Sequence, residues 1–138
     1  SRLSRGLGDV YKRQSNLCNY FSVALDFYKK DVPQAKYLPQ VKYLEEFRIK
    51  KYAVGGQDRF DEHVDVVNHN SSRRCLAMLF YLNDIDSGGK TIFPYQNKEF
   101  TPKRGNVIIF PPTWEYPHLG EPPIGSPKYI MSTYLHYH

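Results

Sequence analysis

His63 and Asp65, in the run Phe60-Asp61-Glu62-His63-Val64-Asp65, stand two residues apart. On an extended strand that spacing turns both side chains to one face. An imidazole and a carboxylate side by side, joined by a second histidine from elsewhere in the chain, form the two-His-one-carboxylate facial set, which leaves adjacent positions on a non-haem iron open to other ligands. The spacing alone is a weak signal, because a chain with five His and eight Asp contains roughly 0.3 such pairs by chance. Its bland reading is a hydrogen bond between two surface strand residues.

Context raises its weight. Downstream, Tyr81-Leu82-Asn83, Gly88-Gly89-Lys90-Thr91-Ile92-Phe93, Thr101-Pro102-Lys103-Arg104-Gly105, His118 and Lys128 follow in that order, the lysine ten residues after the histidine. This succession resembles the Fe(II)/2-oxoglutarate-dependent dioxygenases, and within them the prolyl 4-hydroxylase branch, over Tyr52 to Tyr134. One departure is Lys90, which stands where that branch usually carries Glu after the Gly-Gly turn.

The resemblance implies that His63, Asp65 and His118 ligate Fe(II) and that Lys128 pairs with the far carboxylate of the cosubstrate 2-oxoglutarate. A buried dicarboxylate needs such a counter-charge, since an unpaired buried ion costs several kcal/mol. Tyr81, which alternates with Ala77 and Leu79 onto one strand face, and Tyr52, eleven residues before His63, are further candidates to bind the same carboxylate. The implied activity is hydroxylation of an unactivated C–H bond with O2, coupled to decarboxylation of 2-oxoglutarate to succinate and CO2, with ascorbate as reductant. The implied substrate is a proline in a peptide or protein, for which Trp114 and Tyr116, with the loop Val66 to Arg73, are groove candidates. Two other readings are a hydroxylase of a free amino acid or small metabolite, and a jelly-roll binding module without catalysis. His69, His136 and His138 have no matching partner spacing and read as structural or exposed.

Positioning such a set requires a β-rich body. The 138 residues, 41% hydrophobic and 15% aromatic with twelve Tyr, suit one domain. Strand-like runs begin at Phe47 and Ile49 and recur at Arg73 to Asn83, Val107 to Phe110 and Tyr129 to Tyr137, with Gly, Pro, Asn and Asp clusters between them. Short strands with frequent turns suggest a jelly roll, or double-stranded β-helix. Leu17, Tyr20, Phe21, Ala24, Phe27 and Tyr28 recur at steps of three and four, which predicts an amphipathic helix over 16–30, capped by Ser15 or Asn16 and packed on the sheet.

The first fourteen residues, SRLSRGLGDVYKRQ, resemble a translated sequencing-adapter string. The expected division is therefore a non-native segment at 1–14, a truncated helical support at 15–46 and the catalytic core at 47–138. This division also revises the net charge of +5, because Arg2, Arg5, Lys12 and Arg13 against Asp9 supply +3 of it. The remaining +2 gives no reason to expect a nucleic-acid partner. No membrane span or signal peptide is visible, so a soluble, cytoplasmic protein is expected. Cys18 and Cys75 allow a single pairing and no Cys-x-x-Cys zinc site.

Overall fold

The computed structural model describes residues 2–40 and 43–137, and side chains from residue 16 onward. The chain divides into two units after Leu38. The first holds the helix α1 (Arg2–Asp31) and a 3-10 helix (Pro33–Tyr37). Leu17, Phe21, Ala24 and Tyr28 form its less exposed stripe, while Tyr20 and Phe27 are exposed.

The helix begins well before the expected residue 16, so neither Ser15 nor Asn16 caps it. No proline interrupts residues 2–14, which are rich in Leu, Arg, Lys and Gln, and a nucleated helix propagates through such residues despite two glycines. At the other end Lys29 and Lys30 complement the helix dipole. Pro33 stops it by forcing Val32 into an extended conformation.

Among the described residues the second unit contains eleven strands, β1 (Tyr43–Leu44), β2 (Arg48–Tyr52), β3 (Phe60–His63), β4 (Arg74–Tyr81), β5 (Ser87–Gly88), β6 (Thr91–Phe93), β7 (Lys98–Phe100), β8 (Val107–Phe110), β9 (His118–Gly120), β10 (Pro123–Ile124) and β11 (Lys128–His136). All the pairings are antiparallel. β11 is the spine of a five-stranded sheet, with β1 and β2 along one edge, β4 on the other and β8 beyond it. A four-stranded sheet runs β3-β9-β6-β7, and β10 pairs with β5.

Period-two alternation explains what faces the site. Ala77 and Tyr81 of β4, Ile108 and Phe110 of β8, and Tyr52 and Ile130 join Phe93 of the smaller sheet in one buried cluster. Phe93 and Phe110 meet edge to face at 4.9 Å, which ties the two sheets together. Leu76, Met78 and Phe80 take the opposite face of β4 and are buried as well, so this strand reads as a continuous apolar run. Ile49 points outward from β2 and is exposed.

Asp65 departs from the strand expectation. β3 ends at His63, and the backbone N–H groups of Asp65 and Val66 both donate to the Pro112 carbonyl, at 3.1 and 3.0 Å. The Asp65 side chain is thus aimed by a loop anchor rather than by strand pleating. Both cysteines are free thiols, Cys75 being a small buried strand residue.

Candidate active site

Register brings the two histidines together. His63 of β3 lies directly opposite His118 of β9, with ring centroids 4.3 Å apart, and Asp65 reaches between them. His63 Nε2 is 3.3 Å from Asp65 Oδ1 and His118 Nε2 is 3.6 Å from Asp65 Oδ2. Each ring is oriented from behind, His63 Nδ1 meeting the Asp61 carbonyl at 2.7 Å and His118 Nδ1 the Tyr116 carbonyl at 3.1 Å. A carbonyl can only accept, so each Nδ1 carries the hydrogen and, in the neutral ring, each Nε2 presents a lone pair.

Two lone-pair nitrogens and a carboxylate oxygen, all within 4.8 Å of one another, repel unless a cation lies among them. First-row metal bonds of about 2.0–2.2 Å put neighbouring ligands about 3 Å apart, close to the 3.3 and 3.6 Å between Asp65 and the two histidines. The donor types suit Fe(II) with positions left open. Phe93 stacks on His118 at 5.4 Å, and Phe110 meets it edge-on at 4.8 Å. Burial among these rings lowers the His118 pKa against the attraction of Asp65, favouring the neutral, ligating imidazole. Burial would raise the Asp65 carboxyl, but when the imidazoles are protonated the His63 hydrogen bond and the charges of His118 and His63, with the Tyr134 hydroxyl, outweigh that and hold it below the usual carboxylate range.

Behind Asp65 lies a polar network that sequence reasoning missed. Arg74 Nη1 donates to the Asp65 carbonyl at 2.9 Å, while its Nε and Nη2 grip Glu45 at 2.6 and 3.1 Å. Its guanidinium stacks on Tyr134 at 4.0 Å. Glu45 also meets His136 Nε2 at 2.8 Å, which gives His136 a structural place. Tyr134 was findable, since 128, 130, 132 and 134 alternate onto one face of β11. Arg74 and Glu45 carry no local signal.

At the other end of the pocket, Lys128 is directly opposite Tyr52 and is only 2% exposed. Its ammonium donates to the Gly89 carbonyl at 2.9 Å and sits 4.3 Å over the Tyr52 ring. Burial, only partly offset by the attraction of Glu121, lowers its pKa to about 8. Gly88 and Gly89 both adopt left-handed backbone, φ +67° and +68°, and a Cβ on Gly88 would lie 2.6 Å from the Pro122 carbonyl. Only glycine at 88 fits that approach. Lys90, after this turn, pairs with Glu99 across β6 and β7 at 2.8 Å, so the departure from the expected Glu forms an exposed cross-strand ion pair.

Tyr52, His63, Asp65, His118 and Lys128 line one pocket, together with Lys50, Thr91, Ser132 and Tyr134. Tyr81, Trp114 and Tyr116 are not part of its wall. The Tyr81 hydroxyl is buried against Thr91 Oγ1, and that burial pushes it up to about 12. Trp114 is 78% exposed. Tyr116 packs its ring against the core cluster and contributes its carbonyl to His118. His69 is exposed, and His138 lies outside the described residues.

Two antiparallel sheets closed around a His-Asp-His cluster and a buried lysine define a jelly-roll metalloprotein of the oxygenase type. Residues 47–136 match the family model described as the 2OG-Fe(II) oxygenase superfamily, and the chain belongs to that superfamily, which takes its name from Fe(II) and 2-oxoglutarate. Among its relatives, the chain is 37% identical over 79 residues to the Arabidopsis thaliana protein named "Probable prolyl 4-hydroxylase 9", covering 54% of this chain and 26% of that one. It is 28% identical over 106 residues to prolyl 4-hydroxylase subunit alpha-1 of Gallus gallus, covering 67% and 20%. The fold is similar to that of a viral collagen prolyl hydroxylase from Paramecium Bursaria Chlorella virus-1, with TM-score 0.66, 20% identity, and coverage of 84% of this chain and 70% of that one. The chain thus spans about a quarter or less of the length of these two curated relatives. Among the described residues, no helix is long and apolar enough to cross a membrane.

Proposed function

We propose that residues 47–138 form the catalytic core of a prolyl 4-hydroxylase, supported by residues 15–46. In this reading a prolyl C–H bond of a peptide or protein becomes C–OH. One atom of O2 enters the product, and the other enters succinate as 2-oxoglutarate loses CO2. The observation that carries it is the sharing of one pocket by the His63, Asp65 and His118 donors and a buried lysine.

Bound Fe(II) with 2-oxoglutarate would activate O2, the oxidant, for C–H hydroxylation. The chain supplies the rest. His63, Asp65 and His118 hold the metal, each imidazole fixed by a backbone carbonyl and the carboxylate fixed by the Pro112 anchor. Lys128 binds the far carboxylate of 2-oxoglutarate, with the Tyr52 ring beneath it. Phe60, Phe93 and Phe110 exclude water around the histidines. The Tyr81 hydroxyl is taken up by Thr91 as a structural bond, and Trp114 and Tyr116 lie outside the pocket wall.

The test supplies the full chain with Fe(II), 2-oxoglutarate, ascorbate and a library of proline-containing peptides. A 16 Da mass gain on proline with stoichiometric succinate is expected. Succinate formation without any hydroxylated peptide would defeat the prolyl assignment, and absence of both would defeat the enzyme reading.

A further inference from the structure

The pocket contains a second lysine that the proposed reaction leaves unused. Lys50 lies opposite Ile130 on β11, two residues before Tyr52, so it shares the inward face of β2. It lines the site pocket and also an adjoining, solvent-open groove of about 370 Å³ bounded by Lys51, Tyr52, Gln57, Asp58, Arg59 and Phe60. Its ammonium rests 5.1 Å over the Phe60 ring.

The neighbouring charges are already committed. Arg59 pairs with Asp61 at 3.0 Å, Asp58 accepts the Ala53 backbone N–H at 2.8 Å, and Lys51 lies over Tyr129. Burial lowers the Lys50 pKa, partly offset by the attraction of Asp65. That carboxylate, in the reading above, is engaged by the metal. Among the described residues no carboxylate forms an ion pair with Lys50, and a half-buried ammonium between a deep pocket and an open groove draws in an anion from the groove side.

We propose that Lys50 is a specificity-determining cation that receives a carboxylate carried by the substrate beside the carbon to be hydroxylated. The proposal rests on the hydroxylase reading. A carboxylate so placed has two sources, an acidic side chain flanking the proline in a peptide, or the α-carboxylate of a terminal or free proline.

The experiment compares wild type, Lys50→Gln, Lys50→Arg and Lys50→Glu, each loaded with Fe(II) and 2-oxoglutarate. The substrates are matched peptides with Glu, Gln or Lys beside the proline, together with free proline and prolinamide. Peptide affinity is also measured calorimetrically without O2. Wild type and Lys50→Arg should favour the carboxylate member of one pair by about tenfold or more in kcat/KM and in affinity. Lys50→Gln should abolish that preference, and Lys50→Glu should shift it toward the Lys-flanked peptide. The pair that responds identifies the source of the carboxylate. Selectivity unchanged in folded Lys50→Gln overturns the proposal, and so does a raised KM for 2-oxoglutarate with selectivity intact, which would assign Lys50 to the cosubstrate. If wild type binds iron but hydroxylates neither peptides nor free proline, the hydroxylase reading fails and the Lys50 assignment falls with it.

Discussion

At one end of the pocket the Asp65 carboxylate is surrounded by His63, His118 and Tyr134, and Arg74, itself held by Glu45, donates to its backbone carbonyl from behind. At the other end Lys128 has a single carbonyl and an aromatic face. Both groups are buried ions, and the fold treats them in opposite ways. Asp65 is held charged by protein partners, while Lys128 is left with so little compensation that its pKa falls to about 8. In the proposed reading, the difference separates a site prepared to hold a resident cation from one prepared for an anion that comes and goes with each turnover.

The largest expected effect breaks the first end. Asp65→Ala should remove iron-dependent succinate formation by more than about 100-fold, since loss of a direct ligand exceeds the 10–100-fold typical of its outer partners. Retained turnover, with iron content measured in the same samples, would remove the triad assignment.

Lys128→Met sharpens the contrast because it should move two quantities in opposite directions. Affinity for 2-oxoglutarate should fall by about 2–5 kcal/mol, read by calorimetry. Yet the protein without cosubstrate should melt higher at pH 7, where the wild type bears the cost of a buried ammonium. The sign follows from linkage. This lysine titrates near 10.5 unfolded and near 8 folded, so between those values the unfolded chain holds the extra proton and stability rises with pH. Below pH 8 the destabilisation is fully present. Affinity for 2-oxoglutarate should run the other way, weakening above pH 8 as the ammonium discharges.

A smaller effect is expected behind the carboxylate. Arg74→Ala should weaken Fe(II) binding by about 10–100-fold with a lesser change in 2-oxoglutarate affinity measured at saturating metal, and equal losses in both would show a merely structural role. The smallest effect belongs to Tyr81→Phe, which removes one buried hydrogen bond to Thr91 and should cost about 0.5–1.5 kcal/mol of stability while leaving 2-oxoglutarate affinity within about threefold. A larger loss of affinity would return the phenol to the cosubstrate site.

What sequence made legible follows the range of the signal. His63 and Asp65 stand two residues apart and His118 and Lys128 ten apart, in a fixed order with the turns between them, and the apolar runs of β4, β8 and β11 announce themselves by composition. Strands of two or three residues, such as β5, β6, β9 and β10, are too short to show a period. Lys50 and Glu45 enter the site only through pairing with β11, a non-local register that no window of sequence contains. The expected helix is too short because residues 1–14 resemble an adapter string, although Leu3, Leu7, Val10 and Tyr11 continue the three-and-four spacing of Leu17, Phe21, Ala24 and Tyr28.

β11 also sets a scale. Lys128 and Tyr134 stand six residues apart on one face of a single strand, a separation of about 20 Å at about 3.3 Å per residue. Inserting or deleting one residue between them would turn one of the two out of the pocket, so backbone length can change only in steps of two residues, about 6.6 Å. That increment is far coarser than one methylene of a dicarboxylate. Lineages that altered the acid this pocket accepts would therefore have done so by exchanging side chains at fixed register, leaving the length of the strand unchanged.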